Sequence, residues 1–549
     1  MLIVIIIALS ASTWHFYKLY EESQTYLVKD YYKDLKIVGA NKIKDEIFLK
    51  ANKKWWIKAD AAMKYIDRNM YYSGSGKRVY MPIESLDLKL ENRELTSYLI
   101  GNLDKINMPV RVIDGIKYLE IEQLENIYPV RHAYYAERGV HVLVNNEMGL
   151  KTGITSESVR IMEDQNAEGL EVGKLKKGEL VNILRTEDSH MLILSQEGAF
   201  GYIPSASVPN PEKVEINNQP VRESQEKVML ERTRLVWEQI HDYKYYDSLM
   251  KYGPDEGLDV LSPTWFSLNV DGIVLNIADQ AYVDAAHEKG LQVWALFSNS
   301  FDPDWTHEML SSDKLRSKVI AQIIAYTAIY DLDGINIDFE NVYMKDKANF
   351  SSFVAELSQM LHQQGQVVSI DVTVPWGSER YSLFADRVAL ASSVDYVMLM
   401  AYDEHWASIQ SPGSVASRDW VEKGIEKSLD LIPREKLILG VPFYSRVWSQ
   451  IGSGKVSSKA VGFNGQKVWL EKTGAQVKYD PETGQNYAEA VVDGVKQKIW
   501  LEDHVSLKMR LDMAKKYNLP GIAGWSLLFT TQEVWEQISE EYPAKGENQ

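Results

Sequence analysis

The chain has no cysteine in its 549 residues. That excludes disulfides, thiol catalysis, zinc–thiolate sites and iron–sulfur clusters. It leaves cellular location open, because an exported protein with a large core needs no covalent staples. Positive charge is also in short supply. Sixty Lys and Arg stand against 77 Asp and Glu, a formal net charge of −17. A partner of the phosphate-backbone kind, which demands a basic surface, is thereby excluded, and no nucleic acid is expected. The ten histidines show no His-Glu-x-x-His or similar metal spacing, so no metal and no cofactor is expected. Long apolar runs are scarce as well. Beyond the first 17 residues no stretch is long and apolar enough to cross a membrane.

That first stretch, Met1 to Tyr17, has a strongly apolar core, Leu2-Ile3-Val4-Ile5-Ile6-Ile7-Ala8-Leu9. It is short for a span, lacks a basic n-region and shows no clear cleavage site. The first lysine is Lys18, on its far side, so charge asymmetry does not set the orientation. The segment reads as a signal anchor over 1–20, with a cleaved signal peptide as the alternative. Either implies an extracytoplasmic protein, anchored to the cell membrane or secreted to the cell wall.

The rest has globular composition, 45% hydrophobic and 25% charged, with 15 Trp and 31 Tyr. Residues 21–44 are polar and helix-prone and read as a tether. Residues 45–148 hold short alternating runs such as Arg78-Val79-Tyr80-Met81-Pro82-Ile83, with Asp114-Gly115 as a tight hairpin turn. The run Tyr80 to Leu86 weakly resembles the small non-catalytic N-terminal domain of copper amine oxidases; no copper is inferred from it. Residues 150–208 are short strands with regular turns. Lys177-Gly178-Glu179 and Gly201-Tyr202-Ile203 resemble the central turn and closing strand of bacterial SH3-like domains. That resemblance implies a wall peptide as a possible ligand, with a ligand-free spacer as the alternative. Pro209-Asn210-Pro211-Glu212 opens a linker over 209–227.

From 228 to 545 short β-branched runs alternate with helix-length amphipathic segments. Strands are expected at Leu258–Ser262, Leu291–Phe297, Gly334–Phe339, Val367–Val374, Asp395–Tyr402, Lys436–Pro442 and Ile522–Leu527. Parallel neighbours need crossover helices, so the pattern predicts an α/β fold, a closed (β/α)8 TIM barrel preceded by two small β-rich domains. Residues 449–500 break the alternation and read as a small α+β insertion. An open doubly wound sheet is the alternative, but no glycine-rich phosphate loop follows the early strands.

One strand carries chemistry: Asp333-Gly334-Ile335-Asn336-Ile337-Asp338-Phe339-Glu340. Alternate residues share a face, so Asn336, Asp338 and Glu340 point inward while Ile335, Ile337 and Phe339 meet covering helices. Three inward polar groups cost several kcal/mol unless bonded to one another, roughly 2–7 kcal/mol each. A calcium loop starting at Asp331 fails, because glycine falls at its fourth position and not its sixth.

The segment resembles the Asp-Gly-x-Asp-x-Asp-x-Glu signature of family 18 glycoside hydrolases, the chitinase-like barrels, with Asn336 in place of one aspartate. Met400-Ala401-Tyr402-Asp403 is similar to the family's strand-six pattern, and Trp525 in Gly524-Trp525-Ser526 to the tryptophan at the floor of its sugar site. The likeness runs from about Asp242 to Tyr542, and Asn336–Asn341 is most similar to the bacterial branch of spore-cortex N-acetylglucosaminidases.

The resemblance implies retaining, substrate-assisted hydrolysis of an N-acetylated cell-wall polysaccharide. In that scheme Glu340 is the general acid, Asp338 holds the substrate acetamido group, and Tyr402 bonds its oxygen. Asp333 and Asn336 support them. Asn336 is expected to donate to ionised Asp338, leaving activity intact with a shifted pH profile. Trp265, Trp376, Trp406 and Trp448 follow expected strands one, five, six and seven, at the face where barrel sites sit, and are candidate sugar platforms. Asp403 and Arg446 are candidate sugar contacts; His405 reads as a loop residue. Peptidoglycan or spore cortex is the expected polymer, chitin the near alternative, and a non-catalytic wall-binding barrel the distant one.

Overall fold

The computed structural model of the protein describes Lys18 and residues 21–544, apart from 52, 89, 91, 147–148, 167, 215, 217–229, 241–255 and 452–454. The expected anchor at Met1–Tyr17 and most of the expected linker lie outside the described residues. Among the described residues no helix is long and apolar enough to cross a membrane.

The chain forms two compact units. The first takes residues 1–71, 85–87 and 110–221. Its largest sheet has seven antiparallel strands between Lys151 and Lys213. Residues 21–44 are not a free tether. Residues 21–32 are helical, and Tyr32, Leu35 and Ile37 enter the same apolar core as Ile161, Val172 and Ile193. Tyr31 and Tyr32 hydroxyls donate to the Phe200 and Val172 carbonyls at 2.8 and 2.9 Å. The large rings at the end of this polar stretch are what recruit it into the fold. The expected hairpin turn is present, with Ile113 opposite Ile116. Asp114 and Gly115 both have positive φ, the type I′ geometry that suits right-twisted strands.

The second unit takes residues 72–84, 88–109 and 222–549. Eight parallel strands close into a barrel: β1 (Thr233–Glu238), β2 (Val260–Pro263), β3 (Gln292–Ser298), β4 (Gly334–Asp338), β5 (Val367–Thr373), β6 (Tyr396–Met400), β7 (Leu437–Pro442) and β8 (Gly521–Trp525). β1 pairs with both β2 and β8, and β2 with β3, which completes the circle. β1 was not expected from the sequence, and Leu258–Ser262 lies at β2, not at strand one. Thr233, Arg234 and Glu238 leave only Leu235-Val236-Trp237 as an apolar run, shorter than the runs that mark buried strands such as β3 and β6. The chain between β7 and β8 forms a five-stranded antiparallel sheet with the helix Phe463–Thr473, from Tyr444 to Trp500.

Residues 72–84 and 88–109, expected in a separate domain spanning 45–148, pack with the barrel instead. Strand Lys105–Pro109 pairs with Arg78–Pro82. Buried Asn107 donates to the Tyr326 hydroxyl at 2.8 Å and to the Val274 carbonyl at 2.9 Å, and Asn276 donates back to its carbonyl at 3.1 Å. Satisfied buried amides of this kind fix a docking register as well as a position.

Candidate active site

β4 carries the polar row, and its first residue shows why the sequence must start with glycine. A Cβ on Gly334 would stand 2.5 Å from the Val367 carbonyl oxygen and 2.9 Å from the Trp294 ring. Outward, Ile335 and Ile337 are fully buried. Phe339 stacks on Phe350 and Phe353 of the helix Lys347–His362, with centroids 5.4 and 5.8 Å apart. Inward, Trp294 and Val367 flank Gly334, Leu296 and Ser369 flank Asn336, and Ser298 flanks Asp338. The barrel is therefore apolar at its base, where Leu235, Val260, Trp294 and Ile438 meet, and polar above.

Asn336 is the junction between those layers. Its Oδ1 accepts from Trp237 Nε1 at 2.7 Å and from Ser262 Oγ at 3.4 Å. Its Nδ2 donates to Ser369 Oγ at 3.0 Å and to Asp371 Oδ1 at 2.8 Å. The donation expected toward Asp338 thus goes to Asp371. Asn336 lies opposite Ser369, two residues before Asp371, so its amide spans both β5 side chains instead of turning along its own strand. Asp371 was missed at the sequence level, although β5 shows the signal: Ser369 and Asp371 alternate with Val368, Ile370 and Val372.

Three carboxyl groups therefore converge. Burial, then the neighbouring Glu340 and Asp371 charges, hold Asp338 well above the usual carboxylate range. Its Oδ1 is buried and has no hydrogen-bond partner among the described residues. Asp371 is also held high, by burial first. The Asn336 donation opposes this, Glu340 reinforces it, and the Trp237 indole opposes it again. Glu340 is raised from 4.5 to about 7, by burial and then by the Asp403 charge. Its backbone is gripped on both sides by buried Asn299: Glu340 N donates to Asn299 Oδ1 at 3.1 Å, and Asn299 Nδ2 donates to the Glu340 carbonyl at 2.7 Å. Asn299 was not among the expected site residues; nothing in its local sequence marks it.

Asp338, Glu340, Asp371, Tyr402, Asp403 and Trp525 line one cleft of about 500 Å³ at the C-terminal ends of the strands. Trp237, from the unexpected strand, lies at its floor with its ring 6.1 Å from Trp525 and 6.5 Å from Tyr402. Tyr402 is held well above the usual phenol range by burial, then by the Asp371 charge, so it stays a neutral donor. Asp403 accepts from the Tyr444 hydroxyl at 2.5 Å and lies 3.6 Å from Arg446. Trp265 also lines the cleft, but as a wall: it is 1% exposed, edge-on to Tyr282, and its indole N–H has no partner among the described residues. It follows β2, not strand one.

Several expected residues lie elsewhere. Asp333 sits at the opposite end of β4, where its carboxylate accepts from Val293 N at 2.7 Å and contacts His287 Nε2 at 2.9 Å. It pins β4 to β3 and does not reach the cleft. Trp376 packs edge-on against Trp420 under Lys423. Trp448 is buried in the insertion and donates to the Gly413 carbonyl at 2.8 Å. Trp406 is exposed on a loop, bonded to Ser408. His405 contacts the Ser414 carbonyl at 2.9 Å, a loop bond as expected. A tryptophan after a strand fills whichever apolar gap the next helix leaves, so position after a strand does not by itself aim a ring at the cleft.

Residues 280–529 match the model of the Glycosyl hydrolases family 18. Over 310 residues the chain is 26% identical to the uncharacterized glycosylase YvbX of Bacillus subtilis, covering 54% of this chain and 88% of that protein. It is 24% identical to the cortical fragment-lytic enzyme of Bacillus subtilis, covering 45% of this chain and 58% of the enzyme, so the match spans a little over half of that relative. Among solved structures, the spore cortex-lytic enzyme SleL of Bacillus cereus superposes with a TM-score of 0.54 at 20% identity, covering 62% of this chain and 79% of that one. A chitinase of Chromobacterium violaceum does so at 0.51 and 20%, covering 56% and 98%. At these identities the structural likeness speaks for the barrel. The family match, over β3 to β8, speaks for the kind of domain: residues 280–529 carry a Glycosyl hydrolases family 18 domain.

Proposed function

We propose that the protein hydrolyses β-linked N-acetylglucosamine bonds in a cell-wall polymer, peptidoglycan or spore cortex, with retention and with help from the substrate's own acetamido group. The observation that carries this reading is the pairing of a carboxyl raised to about 7, Glu340, with a buried carboxyl, Asp338, that has an unpartnered oxygen two residues away. A group that titrates near neutrality can hold a proton for the leaving glycosidic oxygen and later accept one from water. Asp338 is suited to receive the acetamido N–H and to orient the carbonyl toward the anomeric carbon. Neutral Tyr402 is suited to donate to the acetamido oxygen. The carbonyl oxygen forms the new bond to the anomeric carbon as the glycosidic bond breaks. Water then opens the ring intermediate while Glu340 takes its proton. No second carboxylate nucleophile is required.

The wall substrate draws on the named activity of the cortical fragment-lytic relative and on the expected wall-peptide affinity of the sheet at 151–213. An extracytoplasmic site of action, by anchor or secretion, follows from that substrate. The test is incubation of the full chain and its Glu340→Gln variant with peptidoglycan, spore cortex and chitin. New reducing N-acetylglucosamine ends from wall polymer, absent in the variant, are expected. Release from chitin alone would sink the wall reading, and no release from any polymer would sink the enzyme reading in favour of a wall-binding barrel. Retention is read from the anomer formed first in the product's proton spectrum.

A further inference from the structure

The cleft contains one charge that the hydrolytic reading leaves unused. Arg78 lines it together with the four carboxyl groups of Asp338, Glu340, Asp371 and Asp403, and it is the one basic side chain among the described lining residues. It does not come from the barrel. It starts the strand Arg78–Pro82, whose partner strand Lys105–Pro109 is locked to the barrel by buried Asn107, Asn276 and Tyr326. That strand docks beside Ile273–Asn276, so Arg78 joins the cleft on the side of Ser267 and Ile277, whereas Asp403 enters from β6.

Arg446, which does not line the cleft, is taken by Asp403. Arg78 is half-buried, its Nε is buried without a hydrogen-bond partner, and no carboxylate pairs with it among the described residues. Its backbone N–H is tied to Ser73 Oγ at 3.2 Å, which fixes where the side chain starts. An unpaired guanidinium N–H removed from water is costly, and a planar fork of donors is matched to a carboxylate. A neutral glycan can offer the guanidinium only hydroxyl and amide oxygens, whereas a carboxylate matches both its charge and its two-pronged geometry. Without it, any of the four carboxyls that ionises would repel an anionic glycan.

We propose that Arg78 is a specificity residue that binds a carboxylate carried by the sugar next to the cleaved N-acetylglucosamine, the 3-O-lactyl carboxyl of muramic acid or the peptide carboxyl it bears. This rests on the wall-polymer reading and sharpens it. The protein selects the acidic form of the alternating polymer over its amidated form and over chitin, and does so with a side chain supplied from outside the barrel.

The test compares three soluble tetrasaccharides: one with free lactyl carboxyls, the same compound with those carboxyls amidated, and chitotetraose. For the full chain, kcat/KM is expected to be about ten- to hundred-fold higher on the acid form than on the amide, the range of a charge-assisted pair. Arg78→Gln should remove that ratio by lowering the acid value alone, and Arg78→Lys should restore part of it. Equal loss on all three substrates, or an unchanged ratio in Arg78→Gln, would overturn the proposal. Calorimetric binding of the acid and amide forms to Glu340→Gln, with and without Arg78→Gln, gives the same comparison without turnover. If no substrate is cleaved, the hydrolytic reading fails. Arg78 is then judged by whether the acid form binds about tenfold or more tightly than the amide and loses that margin with Arg78→Gln.

Discussion

Asp403→Asn should move the alkaline limb of the pH–rate profile downward. Glu340 rises from 4.5 to about 7, with burial the larger cause and the Asp403 charge the smaller. Removing that charge can release less than half of the rise, so about one pH unit at most, or ~1.4 kcal/mol. The direction is reinforced by Arg446, which keeps its charge when Asp403 loses it and favours ionised Glu340 further. The change is conservative in shape. Asp403 has φ +60°, a region asparagine tolerates, and the amide oxygen can still accept from the Tyr444 hydroxyl. The assay is kcat/KM against pH on a neutral chitooligosaccharide, which has no titrating group in this range and reports the free enzyme. Wild type should lose activity as pH rises through about 7, because the general acid is being lost. The variant should lose it up to one unit earlier, whatever its maximal rate. A limb that stays in place, or moves upward, would refute both the assignment of the acid and the electrostatic account of its pKa.

Glu340→Gln should lower turnover by roughly 10²–10⁴-fold, the usual worth of a positioned acid. It should also become more stable relative to wild type as pH rises. Native Glu340 keeps its proton to about 7 while the unfolded chain gives it up near 4.5, so wild-type stability falls across that window. The gap, about 3 kcal/mol by pH 8, is read from denaturant midpoints at pH 4 and pH 8. Asn336→Asp removes the donor to Asp371 and adds a fourth buried carboxyl. The acid limb of the profile should move up, and an unchanged curve would contradict the Asn336–Asp371 bond as its controlling interaction. Gly334→Ala forces a Cβ to 2.5 Å from a backbone oxygen, and should cost about 1–3 kcal/mol, seen as a lowered Tm with the pH profile unmoved.

The local sequence determined a good deal. Strict alternation along Gly334–Glu340 fixed which three side chains face inward, because strand geometry leaves no other choice. The regular strand and helix spacing predicted a parallel sheet, since parallel strands cannot be joined without crossovers, and the expected closure into a barrel is completed by β1. The motifs at Met400–Asp403 and Gly524–Ser526 pointed to Tyr402 and Trp525, and both line the cleft. What the sequence left undetermined depends on distances between segments remote in the chain. Asn336 bonds Ser369 and Asp371 on β5 rather than Asp338, a set of partners that only the register between the two strands supplies. β1 was hidden because Thr233, Arg234 and Glu238 cut short the apolar run that marked buried strands such as β3 and β6. Asp333 lies in the same motif as Glu340 yet at the opposite end of the barrel, a consequence of strand length alone. Asn299 grips Glu340 from the end of another strand, and Arg78 reaches the cleft from a strand more than two hundred residues earlier. Hydrogen bonds and charges act over a few ångströms, so only the folded chain decided which of its chemical groups share a site.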